Sequence, residues 1–245
     1  MKRYGLIGKT LKHSFSKNYF TDKFKKENIE DSIYELYELK VIGEIQDLLE
    51  QNKDLSGLNV TIPYKLEVMP FLDELDENAK AINAVNTIKF QPNGKLKGYN
   101  TDYYGFRNSI KDWELNGVSA LVLGTGGASN AVKKVLGDLS IPFQMVSRSP
   151  KEGILTYDDL KRDPQIISKN LLIINTTPVG TFPNEHECPD IPYASVGENH
   201  LLFDLVYNPE VTLFLQKGLD VGAKIKNGYN MLVGQAEASW KIWGD

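Results

Sequence analysis

The stretch Ser119-Ala120-Leu121-Val122-Leu123-Gly124-Thr125-Gly126-Gly127-Ala128-Ser129-Asn130-Ala131 decides how this chain is read. An apolar run of strand length passes directly into glycines, and a helix-like stretch follows to about Leu136. Glycines at a strand-to-helix turn let the backbone approach a pyrophosphate, while the first amides and the dipole of the helix favour negative charge. Gly124 and Gly126 meet the G-x-G-x-x-G/A spacing, with Ser129 at the third small position. The other reading of such a turn is a helix packed tightly on a sheet. The next strand, 143–146, ends in Ser147-Arg148-Ser149, where a NAD-preferring turn carries the Asp or Glu that accepts a ribose 2′-hydroxyl. Arg148 is either a solvated surface cation or the partner of a 2′-phosphate. The second reading makes the expected cofactor NADP(H) over NAD(H).

Outward from this turn, short apolar runs alternate with helix-like segments along most of the chain, the pattern of an α/β protein with largely parallel sheets. Residues 4–8, 33–39, 58–62 and 85–90 read as strands, and helices are expected to start near Ser16, Ile42 and Glu74. Asn93-Gly94 reads as a hairpin turn in which both residues accept positive φ, so 85–90 and 96–99 are expected to pair antiparallel. After residue 100 the runs 119–123, 143–146, 171–175 and 201–206 are apolar enough to be buried on both faces of a second sheet. No repeat or Gly/Ser linker separates the halves, so the boundary is expected near 100–103.

The composition excludes several classes. One Cys forms no internal disulfide and, with three His, builds no Cys-rich zinc site. A formal charge of −4 without a Lys/Arg block speaks against nucleic-acid or anionic-membrane binding. No apolar run approaches the ~20 residues of a membrane span, and the start lacks the apolar core of a signal peptide. The expectation is a cytoplasmic, metal-free protein acting on a small soluble molecule.

Polar residues of the first half supply candidate chemistry. Ser14 and Ser16 share a face in extended chain and suit a carboxylate, or else Ser16 caps a helix. In Gly57-Leu58-Asn59-Val60-Thr61-Ile62-Pro63-Tyr64-Lys65, alternation sets Asn59 and Thr61 opposite Leu58, Val60 and Ile62. Lys65 then lies just past a strand's C-terminal end, where α/β sheets place ligands. It is either a proton donor to a carbonyl oxygen or an exposed lysine opening a helix. Asn86 interrupts an apolar strand, and Asp102 is either a functional carboxylate or a helix N-cap. Gln235, on a helix after the Asn227-Gly228 turn, either binds a substrate hydroxyl or lies on the surface.

With His13-Ser14-Phe15-Ser16, Ala84-Val85-Asn86-Thr87-Ile88, Gly98-Tyr99-Asn100-Thr101-Asp102, Asn175-Thr176-Thr177-Pro178-Val179-Gly180, Asp204-Leu205-Val206-Tyr207-Asn208-Pro209 and Met231-Leu232-Val233-Gly234-Gln235-Ala236 added to the two segments above, the chain resembles the shikimate dehydrogenase family over nearly its whole length. The resemblance implies a substrate domain, 1–101 plus 229–245, and a Rossmann-type NADP-binding domain, 102–228, separated by a cleft. It implies that Ser14 and Ser16 bind the shikimate carboxylate with Tyr207 nearby, and that Thr61, Lys65, Asn86, Asp102 and Gln235 hold the ring hydroxyls. Lys65 and Asp102 look like the family's catalytic pair. Gly124, Gly126, Gly127 and Ala128 would cradle the pyrophosphate, Ser147 and Arg148 would meet the 2′-phosphate, Thr176 would lie along the cofactor, and Gly228 joins the cofactor-binding set. Lys17, Ser147 and Thr181 depart from residues common in the family, Lys151 offers a second cation, and the tail after Gln235 is short.

The expected activity is the NADPH-dependent, reversible reduction of 3-dehydroshikimate to shikimate in aromatic amino-acid biosynthesis, by a monomer or homodimer. The alternatives are a quinate/shikimate dehydrogenase using NAD(P) and a non-catalytic NADP-binding module. No role is assigned to Cys188 or His186.

Overall fold

A computed structural model describes residues 1–12 and 14–244; His13 of the first matching segment and Asp245 lie outside them. The chain divides into two compact units, Met1–Thr101 with Gln235–Asp245, and Asp102–Gly234.

In the first unit the chain runs β1 (Lys2–Gly8), α1 (Phe15–Lys26), β2 (Ser32–Glu38), α2 (Ile45–Gln51), β3 (Leu55–Val60), β4 (Glu74–Leu75), α3 (Glu77–Ile82), β5 (Thr87–Phe90) and β6 (Leu96–Tyr99). The sheet order is β2-β1-β3-β5-β6-β4. β1 is parallel to β2 and β3, whereas β5 is antiparallel to β3 and β6. Each face carries its own core, because successive side chains of a strand point to opposite sides. Ile7, Leu58, Val60 and Ile88 join Ile45, Leu48, Val68 and Ala79 on one side. Tyr4, Leu6 and Tyr34 join Phe20, Phe24, Ala236 and Trp243 on the other.

That second face is aromatic. Phe20 stacks on Tyr34 (centroids 4.6 Å apart) and Tyr4 on Trp243 (4.8 Å), and Trp240 packs edge-on to Tyr4 (5.4 Å). Trp243 lies so close over β3 that a Cβ on Gly57 would stand 2.3 Å from its Nε1, which donates to Ile88 O (3.0 Å). Both tryptophans belong to the last helix, α9 (Tyr229–Gly244). This helix thus closes that face of the sheet.

The second unit contains α4 (Asp102–Ile110), β7 (Ala120–Leu123), α5 (Gly127–Asp138), β8 (Phe143–Ser147), β9 (Leu155–Thr156), α6 (Tyr157–Arg162), α7 (Gln165–Lys169), β10 (Leu172–Asn175), β11 (Leu201–Asp204), α8 (Leu213–Leu219) and β12 (Lys224–Lys226), with the start of α9. Its strands order β12-β11-β10-β7-β8-β9, all neighbours parallel. Counted within the unit this is 6-5-4-1-2-3, the doubly wound Rossmann order. Every residue of β7, β10 and β11 is buried. Among the described residues no helix is long and apolar enough to cross a membrane.

Several sequence expectations change. The segment expected to start a helix at Glu74 first forms β4 beside β6, and α3 begins only after Asp76 caps it by accepting from Ala79 N (2.8 Å). The 93–94 hairpin forms, but Gly94 alone in the turn takes a positive φ (83°). Gly94 N donates to Gln91 O and Gln91 N to Lys95 O, each at 2.9 Å. Three residues therefore lie between the bonded Gln91 and Lys95, and only the last needs the left-handed region. β3 stops at Val60, so alternation does not carry to Ile62, which is 77% exposed, while Asn59 is buried with its neighbours. β8 is half-covered at its start, because β9 pairs only with Val146 and Ser147. β4, β9 and β12 are too short to leave a readable period.

Gly57→Ala is expected to lower the unfolding free energy by about 1–3 kcal/mol, since the added methyl must displace the Trp243 indole from a packed face. Urea unfolding followed by tryptophan fluorescence checks this; an unchanged midpoint would refute the close packing.

Candidate active site

In the second unit, the strand order reverses between β7 and β10, and α/β sheets bind ligands outside the carboxyl ends at such a point. Gly124 leaves β7 with φ 106°, a left-handed conformation that favours glycine. A Cβ there would also meet Thr177 Cγ2 at 2.8 Å and Thr176 Oγ1 at 2.9 Å. Thr176 is pinned beside it, donating from both N and Oγ1 to Leu123 O (2.9 and 2.7 Å). Gly126 caps α5, whose first turn holds no acidic residue. Nothing lies within 4 Å of a Cβ built on Gly126 or Gly127, so the space before the helix amides is open. Ser129 is buried, and its hydroxyl donates to Gly126 O (2.6 Å), so the third small position serves the turn itself.

The end of β8 borders this turn, with Gly124 N donating to Val146 O (2.8 Å). Ser147 is buried and its Oγ accepts from Ser149 N (3.2 Å), while Arg148 is exposed. No hydrogen bond or ion pair among the described residues engages Arg148. Its charge opposes the effect of burial, which raises the Tyr157 hydroxyl above its ordinary pKa. An open helix N-terminus, a glycine turn and an unengaged cation are the groups a phosphate-bearing dinucleotide requires. The residues present therefore fit NADP(H). Gly228 has a steric role as well: its N donates to Val206 O (3.0 Å), and a Cβ would fall 2.0 Å from Leu205 O. Tyr207, 39% exposed, follows on the same segment.

Asp204 and Asn175 were not singled out as site residues by the sequence reading. Both are fully buried at the carboxyl ends of β11 and β10. Asp204 accepts from Asn175 Nδ2 (2.9 Å), Val206 N (3.0 Å) and Thr212 Oγ1 (2.6 Å). Burial outweighs these hydrogen bonds and pushes its carboxyl up to about 6. The available signal was an acid ending an apolar strand, which is costly to bury unless every oxygen finds a donor.

In the first unit, Ser14 and Ser16 do not share a face of extended chain. α1 begins at Phe15, with Ser14 as its N-cap accepting from Lys17 N (3.2 Å) and Ser16 inside the first turn. The cap is therefore Ser14, because its hydroxyl, and not that of Ser16, precedes the unpaired helix amides. The Ser16 hydroxyl bonds to the Tyr34 hydroxyl, whose burial drives its pKa strongly upward. Lys17, a family departure, ties α1 to β2 through Tyr34 O and Glu35.

Thr61 and Lys65 follow β3 in a run of turns, so Lys65 opens no helix. The loop is fixed from both sides. Buried Tyr64 donates to Leu39 O (2.6 Å), and Val85 N donates to Lys65 O (2.7 Å). Lys65 is partly exposed beyond the strand's end.

Asn86 and Gln235 meet in a buried polar network. Asn86 Oδ1 accepts from Thr101 N (2.7 Å) and Thr101 Oγ1 (3.1 Å), and Thr101 Oγ1 lies 3.5 Å from Gln235 Oε1, the alternative acceptor of its one proton. Gln235 is buried, not a surface amide. Asn59 accepts from Tyr34 Oη (2.8 Å), and its amide donates towards Ser239 Oγ (2.9 Å) and Thr87 Oγ1 (3.1 Å). Asn59 is thus a buried support, and so are Thr87, Thr101 and Ser239, to which the sequence assigns no role. Asp102 takes the first position of α4, directly after anchored Thr101, and so is not its N-cap. Among the described residues no group of three or more His, Cys, Asp and Glu is placed to hold a metal.

A folded-state value of about 6 for Asp204, against the ordinary 3.8, means that the folded state holds a proton the unfolded chain has lost between those values. Its contribution to stability is therefore present below pH 3.8 and lost as pH rises towards 6. Relative to wild type, Asp204→Asn should gain up to ~3 kcal/mol between pH 4 and pH 7. Urea unfolding of both proteins at several pH values reads this difference, and a flat difference would contradict it.

A family model described as the shikimate dehydrogenase substrate binding domain matches residues 6–88. The NADP(+) shikimate dehydrogenase of Clostridium beijerinckii is 39% identical over 99% of this chain and 92% of its own length. Among solved structures, shikimate dehydrogenase 1 from Peptoclostridium difficile is 38% identical with TM-score 0.84, covering 100% of this chain and 92% of that one. The Thermus thermophilus shikimate 5-dehydrogenase, solved with NADP(H) and shikimate, is 28% identical with TM-score 0.83 over 99% of this chain and 93% of that one. Near full-length similarity of this degree, on the fold and rim described, makes this chain a member of the shikimate dehydrogenase family.

Proposed function

We propose that this protein is an NADP-dependent shikimate dehydrogenase of the cytoplasm, reversibly reducing 3-dehydroshikimate to shikimate in aromatic amino-acid biosynthesis. The observation that carries the reading is the 39% identity over 99% of the chain to an NADP(+) shikimate dehydrogenase. The geometry of both units supports it. The family match at 6–88 supports substrate binding by the first unit, and the glycine rim supports cofactor binding by the second.

Bound NADPH would supply the hydride for the C3 carbonyl carbon. The chain's residues orient the reactants and manage the proton. Lys65, on a loop held by Tyr64 and Val85, donates the proton to the C3 oxygen, and Asp102 is its catalytic partner. Ser14 and Ser16 at the start of α1 receive the substrate carboxylate together with Tyr207. Thr61, Asn86 and Gln235 take the ring hydroxyls, the last two held by the Thr101 bonds. Gly124, Gly126, Gly127 and Ala128 admit the pyrophosphate, Ser147 and Arg148 take the 2′-phosphate, Thr176 lies along the cofactor, and Gly228 keeps the adjoining segment close. Arg148 and the absence of an acid at Ser147 favour NADP over NAD and weigh against the quinate/NAD alternative.

The decisive assay follows absorbance at 340 nm with shikimate or quinate and NADP+ or NAD+. Turnover is expected with shikimate and NADP+; no turnover of either acid would leave the non-catalytic module. Lys65→Ala is expected to lower kcat by about 100-fold or more with little change in KM, the pattern of a group acting mainly in the transition state. A raised KM at unchanged kcat would reduce Lys65 to a binding group. For Arg148→Ala, loss of a charge-assisted phosphate contact should raise the KM for NADP+ by about tenfold or more. An unchanged KM for NADP+ would remove Arg148 from the cofactor site.

A further inference from the structure

We infer that Asp204 is a positioning residue for the cofactor: acting through Asn175, it holds Thr177 against the glycine turn, with Val179 tied to Thr177, and so sets NADP affinity. The inference rests on the NADP reading of the same rim, but its geometry stands alone. Asn175 and Asp204 are the last register pair of the β10–β11 ladder, and both are fully buried. A carboxylate only accepts hydrogen bonds. Asp204 therefore draws the Asn175 amide nitrogen to itself (2.9 Å), which leaves Asn175 Oδ1 facing the loop that follows β10.

There Asn175 Oδ1 accepts from Thr177 N (3.0 Å) and Thr177 Oγ1 (2.6 Å). The hydroxyl proton of Thr177 being spent on Asn175, its oxygen is oriented to accept from Val179 N (3.3 Å). Thr177 in turn packs on Gly124, at 2.8 Å from where a Cβ would stand. Val206 N and Thr212 Oγ1 hold the carboxylate itself. Asn175 Nδ2 also reaches Val179 O (3.4 Å), so the buried acid, at the shorter distance, and this carbonyl together set the donor direction of the relay. No cation among the described residues pairs with Asp204, so its charge is kept at a cost in burial, as expected of a group that orients others.

The test combines equilibrium NADP+ binding by calorimetry with amide hydrogen exchange of Thr177 and Val179, on the whole chain at pH 7.5. Asp204→Asn keeps the shape and removes the charge; it should weaken NADP+ binding about fivefold and speed both amides, as charge-assisted hydrogen bonds give way to neutral ones. Its Tm should hold or rise, because the buried charge is gone, and a merely structural role would not separate affinity from stability in this way. Thr177→Val should weaken binding about tenfold, Thr177→Ser should restore it, and the Asp204→Asn/Thr177→Val double variant should be no weaker than about twice Thr177→Val alone, since both act on one relay. Unchanged affinity, effects that multiply in the double variant, or unaltered exchange at Thr177 and Val179 would overturn the inference. Were Asp204→Asn to misfold, Thr177→Val and Thr177→Ser alone would decide it by the same readings. Wild-type protein that binds no NADP+ would instead overturn the functional reading, while the exchange rates would still judge the relay.

Discussion

The first unit depends on one closure: the indole of Trp243 lying on Gly57 and donating to Ile88 O. A sheet with one aromatic face must cover that face, and the described residues of 1–101 supply one helix for the purpose, α1, with Leu11 and Ile29 on either side of it in sequence. The last helix completes it. Each buried aromatic pair adds about 0.5–1.5 kcal/mol beyond its area, and Tyr4, Phe20, Phe24, Tyr34, Trp240 and Trp243 make several such pairs. The same helix brings Ser239 and Gln235 to Asn59, Thr87 and Thr101, so the polar interior is satisfied by the segment that seals the apolar one. A buried amide left without partners costs about 1–3 kcal/mol, which ties the polar and apolar closures together.

The second unit follows a different constraint. Parallel strands need crossover connections, and winding them outward in both directions from β7 leaves β7 and β10 as neighbours whose following loops diverge. The opening falls where Gly124, Gly126 and Gly127 expose helix amides. What borders the opening is fixed by polar contacts that run from part-buried to buried: Thr176 on Leu123 O, Thr177 on Asn175, and Asn175 on Asp204. Rigid strands end in side chains that hold the loops. This is how a fold shared by many proteins carries a particular site.

Much of this was legible in the chain. Long apolar strands such as 172–175 and the glycine turn at 124–127 announce themselves, because burial on both faces and a left-handed turn each demand specific residue types. Segments such as Asn59-Val60-Thr61 and Asn86-Thr87 carry the family resemblance by residue type and order alone. Less was legible where partners are distant in sequence. Asn59 and Ser239 lie 180 residues apart, and no local pattern reports their bond. Ser14 and Ser16 illustrate the same limit in miniature: either a helix start or extended chain satisfies the local sequence, and packing of Phe20 and Phe24 under the sheet selects the helix.

By itself, then, the sequence determined the α/β class, the nucleotide turn and the set of polar residues available for chemistry, since these follow from local periodicity, backbone preference and residue type. Tertiary structure alone decided which of those residues are supports. Asn59, Gln235 and Asp204 differ from exposed polar residues only in being buried, and burial depends on what the rest of the chain brings over them. A polar side chain taken out of water must bind its neighbours, and only the folded arrangement names those neighbours.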